Sequence, residues 1–139
     1  MYVDRCTISI MVNKGYDRNM VDVKIILSFL WVASMLCYLL GDVMRIFAGD
    51  FKSGEIGGKP ATQKVWLGAA IIMVIPIIMV ILSLILDNPI NSWVNIVVAI
   101  FFIVFNLIGI KGYKGYDIFL IIVSFGFNVL TIWYAWTLF

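Results

Sequence analysis

The chain has 139 residues, of which 63% are hydrophobic and only 13% are charged, and its mean hydropathy is +1.07. This composition lies far from that of a soluble domain and is typical of a protein embedded in a membrane. The sequence contains no histidine, which excludes haem ligation by histidine, imidazole acid–base catalysis and histidine-containing metal sites. We expect neither a cofactor nor a nucleic-acid partner; the lipid bilayer is the first expected partner.

Four apolar stretches follow a polar N-terminal tail, residues 1–22. They cover residues 23–47, 65–86, 93–110 and 118–139. Each is close to the ~20 residues that a helix needs to cross ~30 Å of hydrocarbon. None shows the alternation of a barrel strand, and an open sheet in lipid would leave backbone groups unpaired. The sequence therefore predicts an all-α fold, a polytopic membrane protein with a four-helix transmembrane bundle.

The connections between these helices are short and polar. A glycine-rich loop, residues 48–64, follows the first helix, a tight turn surrounds Pro89, and a short basic turn covers residues 111–117. They predict an up-down-up-down bundle in the cell membrane, with both termini on the same side and sequence neighbours packed together. We call the end of the bundle that holds residues 48–64 and 111–117 the loop end, and the end that holds Pro89 the turn end.

Each predicted helix carries one face of polar or small residues at steps of three and four, which is the spacing of a helix face. The four faces are Trp31, Ser34, Tyr38, Asp42 and Arg45; Ala69, Met73, Pro76 and Ser83; Asn95, Ala99, Phe102 and Asn106; and Asp117, Ser124, Asn128 and Thr131. Such faces usually point into the bundle, where small side chains allow close approach and polar ones bond across helices. Their simplest role is packing between helices.

Depth along the helices predicts which polar side chains meet. Asp42 lies five residues before Phe47 and Asn106 five residues before Lys111, so both are one to two turns below the loop end at ~1.5 Å per residue. Asp117 begins the fourth helix at that end, whereas Asn128 lies ~16 Å deeper, near the midplane. The candidate binding cluster is Tyr38, Asp42, Arg45, Asn106, Asp117 and Asn128, with no catalytic or metal-binding residue predicted.

Asp42 has two interpretations. An ionised carboxylate inside hydrocarbon is energetically costly and is a functional candidate by default. Alternatively, Arg45 at i+3 pairs with it and extends its guanidinium to the membrane surface, which makes the two residues a structural helix end.

The segments "LSFLWVASMLCYLLGDV", "GGKPATQKVWLGAAIIMVIPIIMVILS", "NSWVNIV" and "IWYAW" resemble a family of small bacterial and archaeal four-span membrane proteins known only as a domain of unknown function. The resemblance covers about residues 20–136. It is carried by Leu30, Trp31, Asp42, Gly57, Gly58, Gly68, Ala69, Ala70, Ile75, Pro76, Trp93 and Asn95. The chain departs from the family at Val74, where many members have a glutamate, which weakens any mechanism that needs paired carboxylates. The resemblance implies a fold and no function.

The resemblance also bears on the N-terminus and the orientation. Family members begin a few residues before the first helix, so we interpret residues 1–19 as an extension or as an incorrectly chosen start.

The excess of Lys and Arg at the loop end favours a cytoplasmic loop end, but the turn at residues 87–92 is often basic in relatives, which favours the opposite. The orientation stays open.

Three function classes fit the sequence. The first, which we favour, is an interaction or structural protein, either a homo-oligomer or an accessory subunit of another membrane protein. The second is a small transporter or channel with a polar path near Asp42, Asn106 and Asn128. The third is a membrane enzyme, which would have only Cys37, Tyr38, Asp42 and Asp117 for its chemistry; we lean against it.

Overall fold

The computed structural model describes residues 5–50, 54–56, 59–110 and 112–139. Its helices are α1 (Arg5–Phe47), α2 (Gln63–Ile85), α3 (Ile90–Gly109) and α4 (Gly115–Trp136). All four are long and apolar enough to cross a membrane, α1 through its segment Asn19–Phe47. The prediction of an all-α, four-helix membrane bundle is confirmed.

The N-terminal tail differs from the simple picture of a polar segment before the first span. Its backbone is helical from Arg5 and runs without interruption into the membrane segment, while residues 1–4 lie outside the described part. The physical reason is local: residues 5–22 contain one glycine and no proline, so nothing in this stretch breaks the helix.

Helix α1 is the centre of the bundle. It packs extensively against α2 and α4, and α3 packs against α4, whereas α2 and α3 share few contacts although one tight turn joins them. One apolar cluster holds Trp31, Met79, Ala99 and Phe102, and a second holds Leu27, Ile96, Ala135 and Leu138. The expectation that sequence neighbours pack together therefore holds least well for α2 and α3.

The predicted inward faces are largely buried. All four members of the α4 face are buried, as are Trp31, Ser34, Pro76, Ser83, Asn95, Ala99 and Phe102. Four members, Tyr38, Arg45, Ala69 and Asn106, are half-buried. Two members are exposed: the Asp42 side chain is 54% exposed, and Met73 is 40% exposed. Both lie in the loop-end half of their helices, which is the half where the site described below is found.

The loop between α1 and α2 carries a two-residue antiparallel ladder, β1 (Glu55–Ile56) with β2 (Lys59–Pro60). The Ala61 N–H donates to the Gly54 carbonyl at 2.8 Å and closes this hairpin. Gly54 has φ +86°, a backbone conformation that glycine adopts without strain. Gly57 and Gly58, which the family resemblance includes, lie outside the described residues.

Candidate functional site

A buried ion pair joins α1 and α4 at the loop end. The Arg45 Nε donates to Asp117 Oδ1 at 2.9 Å, and Asp117 is only 5% exposed. Asp117 also lies in the first turn of α4, where the helix dipole stabilises a carboxylate. The Arg45 guanidinium carbon lies 4.0 Å from the centroid of the Tyr113 ring, a cation–π contact. Arg45 is thus held by two groups outside its own helix.

Asp42 lies beside this ion pair but is only loosely attached to it. Its Oδ1 is 3.9 Å from the Arg45 Nη1, beyond hydrogen-bonding distance. The local i, i+3 pairing considered from the sequence is therefore present, but Asp117 is the closer partner of Arg45. Together the three side chains comprise two carboxylates and one guanidinium, so this group of three has a formal charge of −1.

Tyr38 connects this charged group to the interior. Its hydroxyl oxygen accepts hydrogen bonds from Asn106 Nδ2 at 3.0 Å and from Asn128 Nδ2 at 3.4 Å. Asn128 Nδ2 also donates to the Ser124 carbonyl at 2.8 Å. The structure thus brings Tyr38, Asn106 and Asn128 into direct contact and places Asp42, Arg45 and Asp117 next to one another.

Two buried polar atoms near this chain of hydrogen bonds have no partner in the described part of the protein, Ser34 Oγ and Asn128 Oδ1. Ser34 lies one helical turn below Tyr38 on the same face of α1. Buried polar groups nearly always have a hydrogen-bond partner, so each exception requires an explanation. A water molecule or a polar ligand group beneath Tyr38 would supply one.

Above these residues the bundle encloses a cleft of about 100 Å³. All four helices and the turn before α4 contribute to its wall, which consists of Cys37, Tyr38, Gly41, Asp42, Arg45, Met73, Phe105, Asn106, Tyr113, Asp117, Leu120 and Ile121. Asp42, Arg45 and Asp117 make part of the wall charged, Cys37, Tyr38 and Asn106 add polar groups, and the rest is aromatic or aliphatic. Across the described residues, no three Cys, Asp or Glu side chains form a group that could hold a metal ion.

A second polar network, near the turn end, was not predicted as a unit. Asn95 Oδ1 accepts from Trp31 Nε1 at 2.7 Å and from Ser83 Oγ at 3.0 Å, while Asn95 Nδ2 donates to Asn91 Oδ1 at 2.7 Å. Asn91 Nδ2 in turn donates to the Ser83 carbonyl at 2.9 Å. All four residues are at most 1% exposed. Only the i, i+4 spacing of the two asparagines signals this network in the sequence.

The loop that follows α1 is tied to the start of α4 by Asp50. The Lys114 ammonium donates to Asp50 Oδ1, and the Tyr116 hydroxyl donates to Asp50 Oδ2 at 2.6 Å. The hydrogen bond from Lys114, helped by that from Tyr116, holds the pKa of the Asp50 carboxyl below its ordinary value of 3.8. This contact lies at the loop end, outside the membrane segments.

The lowered pKa of Asp50 fixes the sign of a pH effect. Because the folded-state pKa is below the unfolded-state value, the contact stabilises the fold above the unfolded pKa and is lost as pH falls through the folded pKa. In a carbon-13 NMR titration we expect the Asp50 carboxyl to titrate below pH 3.8, and the Lys114→Gln variant to return its midpoint towards 3.8. An unchanged midpoint in that variant would contradict the contact with Lys114.

Comparison with known proteins shows the family of this chain. A model for a family of unknown function (DUF6326) matches residues 16–138. The chain belongs to that family. The match includes all four membrane segments, the cleft and the turn-end network. A search of the curated proteins and a search of the solved structures each found no match.

Proposed function

We propose that this membrane protein is a small transporter whose loop-end cleft binds a cation, with Asp42 as the anionic ligand. The observation that supports this most directly is the charge of the cleft wall. Arg45 is bound by the buried Asp117 at 2.9 Å, and the half-exposed Asp42 has no cation within hydrogen-bonding distance among the residues that the structure describes. A carboxylate at membrane depth in this state favours a cationic ligand.

The rest of the cleft wall favours an organic ammonium group over a metal ion. Metal ions such as Ca²⁺ and Mg²⁺ need about six oxygen ligands, whereas this wall offers mainly aromatic and aliphatic side chains around Asp42. The Tyr38 and Phe105 rings line the same cleft, and aromatic faces attract ammonium groups through cation–π interactions. A single carboxylate with aromatic neighbours is a typical arrangement for binding an amine.

A route for transport leads from the cleft towards the midplane. Tyr38, Asn106 and Asn128 form it, and the unpartnered Ser34 Oγ and Asn128 Oδ1 lie along it. Beyond them Trp31 meets Phe102 edge to face, with ring centroids 6.1 Å apart. This aromatic contact closes the route, so transport requires that Trp31 and Phe102 separate.

The transport proposal predicts a loss of flux on removal of one carboxylate. In liposomes that contain the purified protein, uptake of radiolabelled ethylamine is measured as the rate above passive diffusion into protein-free liposomes. This uptake should fall by about tenfold in Asp42→Asn, since the charged ligand of the cation is lost. Asp87→Asn is the matched control, because Asp87 is a 98% exposed carboxylate at the turn end, and it should keep the wild-type uptake. Equal uptake in the wild type, Asp42→Asn and protein-free liposomes would reject the proposal.

A second candidate is an interaction protein, a homo-oligomer or an accessory subunit. The observation that favours it is again Asp42, since a half-exposed carboxylate about 7 Å below the end of α1 would be stabilised by a basic group of a neighbouring copy or partner. This candidate predicts that Asp42→Asn lowers the oligomeric state measured in nanodiscs and that ethylamine uptake is absent from the wild type as well.

A further inference from the structure

We infer that the ligand of the cleft is an amphiphile, an ammonium head group with an apolar chain, and that it enters sideways from the bilayer between α2 and α3. This inference rests on the proposed cation site. It adds the chemical class of the ligand and its route, which the charge of the cleft alone does not give.

The cleft wall contains both charged and apolar groups. Asp42, Arg45 and Asp117 supply charge from α1 and α4, while Met73 of α2 and Phe105 of α3 supply apolar surface. A small hydrophilic amine would leave the apolar part of the wall without a matching group. An amine with a hydrocarbon chain matches both parts.

The apolar part of the wall continues to the outside of the bundle. Phe105 lines the cleft and also stacks on Phe101, with ring centroids 6.0 Å apart and planes inclined by 22°. Phe101 is 44% exposed and belongs to the lipid-facing surface of α3. On the opposite side of the opening, Met73 is 40% exposed and also lines the cleft.

The packing of the helices leaves room for such an opening. Helices α2 and α3 share few contacts, and their side-chain hydrogen bonds join Ser83 to Asn91 and Asn95 near the turn end. The hydrogen bonds described between the two helices therefore lie near the turn end and away from the level of the cleft.

The depth of Asp42 matches the position of an amphiphile in a bilayer. Asp42 lies five residues before the end of α1, about 7 Å below that end. The apolar face of an amphipathic helix at a membrane surface lies about 5–10 Å into the boundary between head groups and acyl chains, so Asp42 is near the level of that boundary. An ammonium head at this depth reaches Asp42 while its chain stays in hydrocarbon next to Phe105 and Met73.

Photolabelling tests both the class of the ligand and its route. The protein is placed in phosphatidylglycerol nanodiscs, which contain no amine, with a hexadecylamine that carries a diazirine on its chain. We expect saturable labelling of the α2 segment around Met73 and of the α3 segment around Phe105, with about tenfold less in Asp42→Asn and no change in Asp87→Asn. Unlabelled hexadecylamine should compete, and hexadecanol should not.

The outcomes separate the two proposals. Saturable, amine-specific labelling of α2 and α3 supports both the cation site and the lateral route. If ethylamine binds in an Asp42-dependent manner but the hexadecylamine labels no segment saturably, the amphiphile is rejected and the cation site stands. If hexadecanol competes as well as hexadecylamine, or if neither amine binds, the cleft does not select a cation and both proposals fail.

Discussion

Replacement of Arg45 with glutamine is expected to lower the free energy of unfolding by about 3 kcal/mol, because it leaves a buried carboxylate without its cation. Asp117 is 5% exposed, and its hydrogen bond from Arg45 Nε is the contact that compensates its burial. A surface ion pair would contribute at most about 1 kcal/mol. A loss of about 3 kcal/mol would therefore indicate that Asp117 is buried when it loses Arg45. Unfolding in mixed micelles by a denaturing detergent is the measurement.

Two further variants identify the cause of that loss. Asp42→Asn should lower stability by less than about 1 kcal/mol, because Asp42 is half-exposed and 3.9 Å from Arg45. In Arg45→Gln combined with Asp117→Asn, the buried carboxylate is gone and only the half-exposed Asp42 loses its loose partner, so most of the lost stability should return. If the double variant is less stable than Arg45→Gln alone, the loss has another origin, such as the contact of the guanidinium with Tyr113.

The positions of the membrane helices and their inward faces could be predicted from the sequence because both depend on local patterns. The hydropathy of a stretch of about 20 residues decides whether it spans the bilayer, and steps of three and four decide which face is polar. Asn128 shows this well: its place in the α4 pattern alone was enough to predict its burial, and it is 0% exposed.

The depth of these residues predicted which of them lie in one cluster, but not which atoms pair, because the pairs depend on the rotation and tilt of each helix relative to its neighbours. From the sequence, Arg45 had a local partner at i+3, Asp42, whereas the structure places Asp117 of α4 closer. Tyr113, which covers the guanidinium, lies in a turn where no periodicity applies. The small number of contacts between α2 and α3, on which the lateral route depends, also follows from how the helices pack and not from a local sequence pattern.

Replacement of Asn95 with leucine should also lower the free energy of unfolding by about 3 kcal/mol, for a different reason. The change leaves Trp31 Nε1, Ser83 Oγ and Asn91 Oδ1 without the hydrogen bonds that Asn95 makes to them. Each buried polar group that loses its partner costs roughly 1 kcal/mol. This value is near the lower end of the range of costs found for proteins in water, because hydrogen bonds between membrane helices are often weak.

Asn106→Leu is the matched control, since it makes the same substitution on the same helix. The hydrogen bond from Asn106 to Tyr38 is 3.0 Å long and its surroundings are half-buried, so its loss should cost less than about 1 kcal/mol. A comparable loss for both asparagines would mean that leucine fits poorly on α3 in general and that the turn-end network has no special contribution.

A double-mutant cycle with Trp31 then separates lost hydrogen bonds from poor packing at Asn95. Trp31→Phe removes the indole donor, which should cost about 1 kcal/mol in the wild type in addition to the loss of ring volume. In the Asn95→Leu background that donor already lacks its acceptor, so the same substitution should cost less there by about the value of one hydrogen bond. If the two losses are additive, the 2.7 Å contact between Trp31 Nε1 and Asn95 Oδ1 contributes nothing to stability, and the effect of leucine comes from its shape or from the lost hydrogen bonds to Ser83 and Asn91.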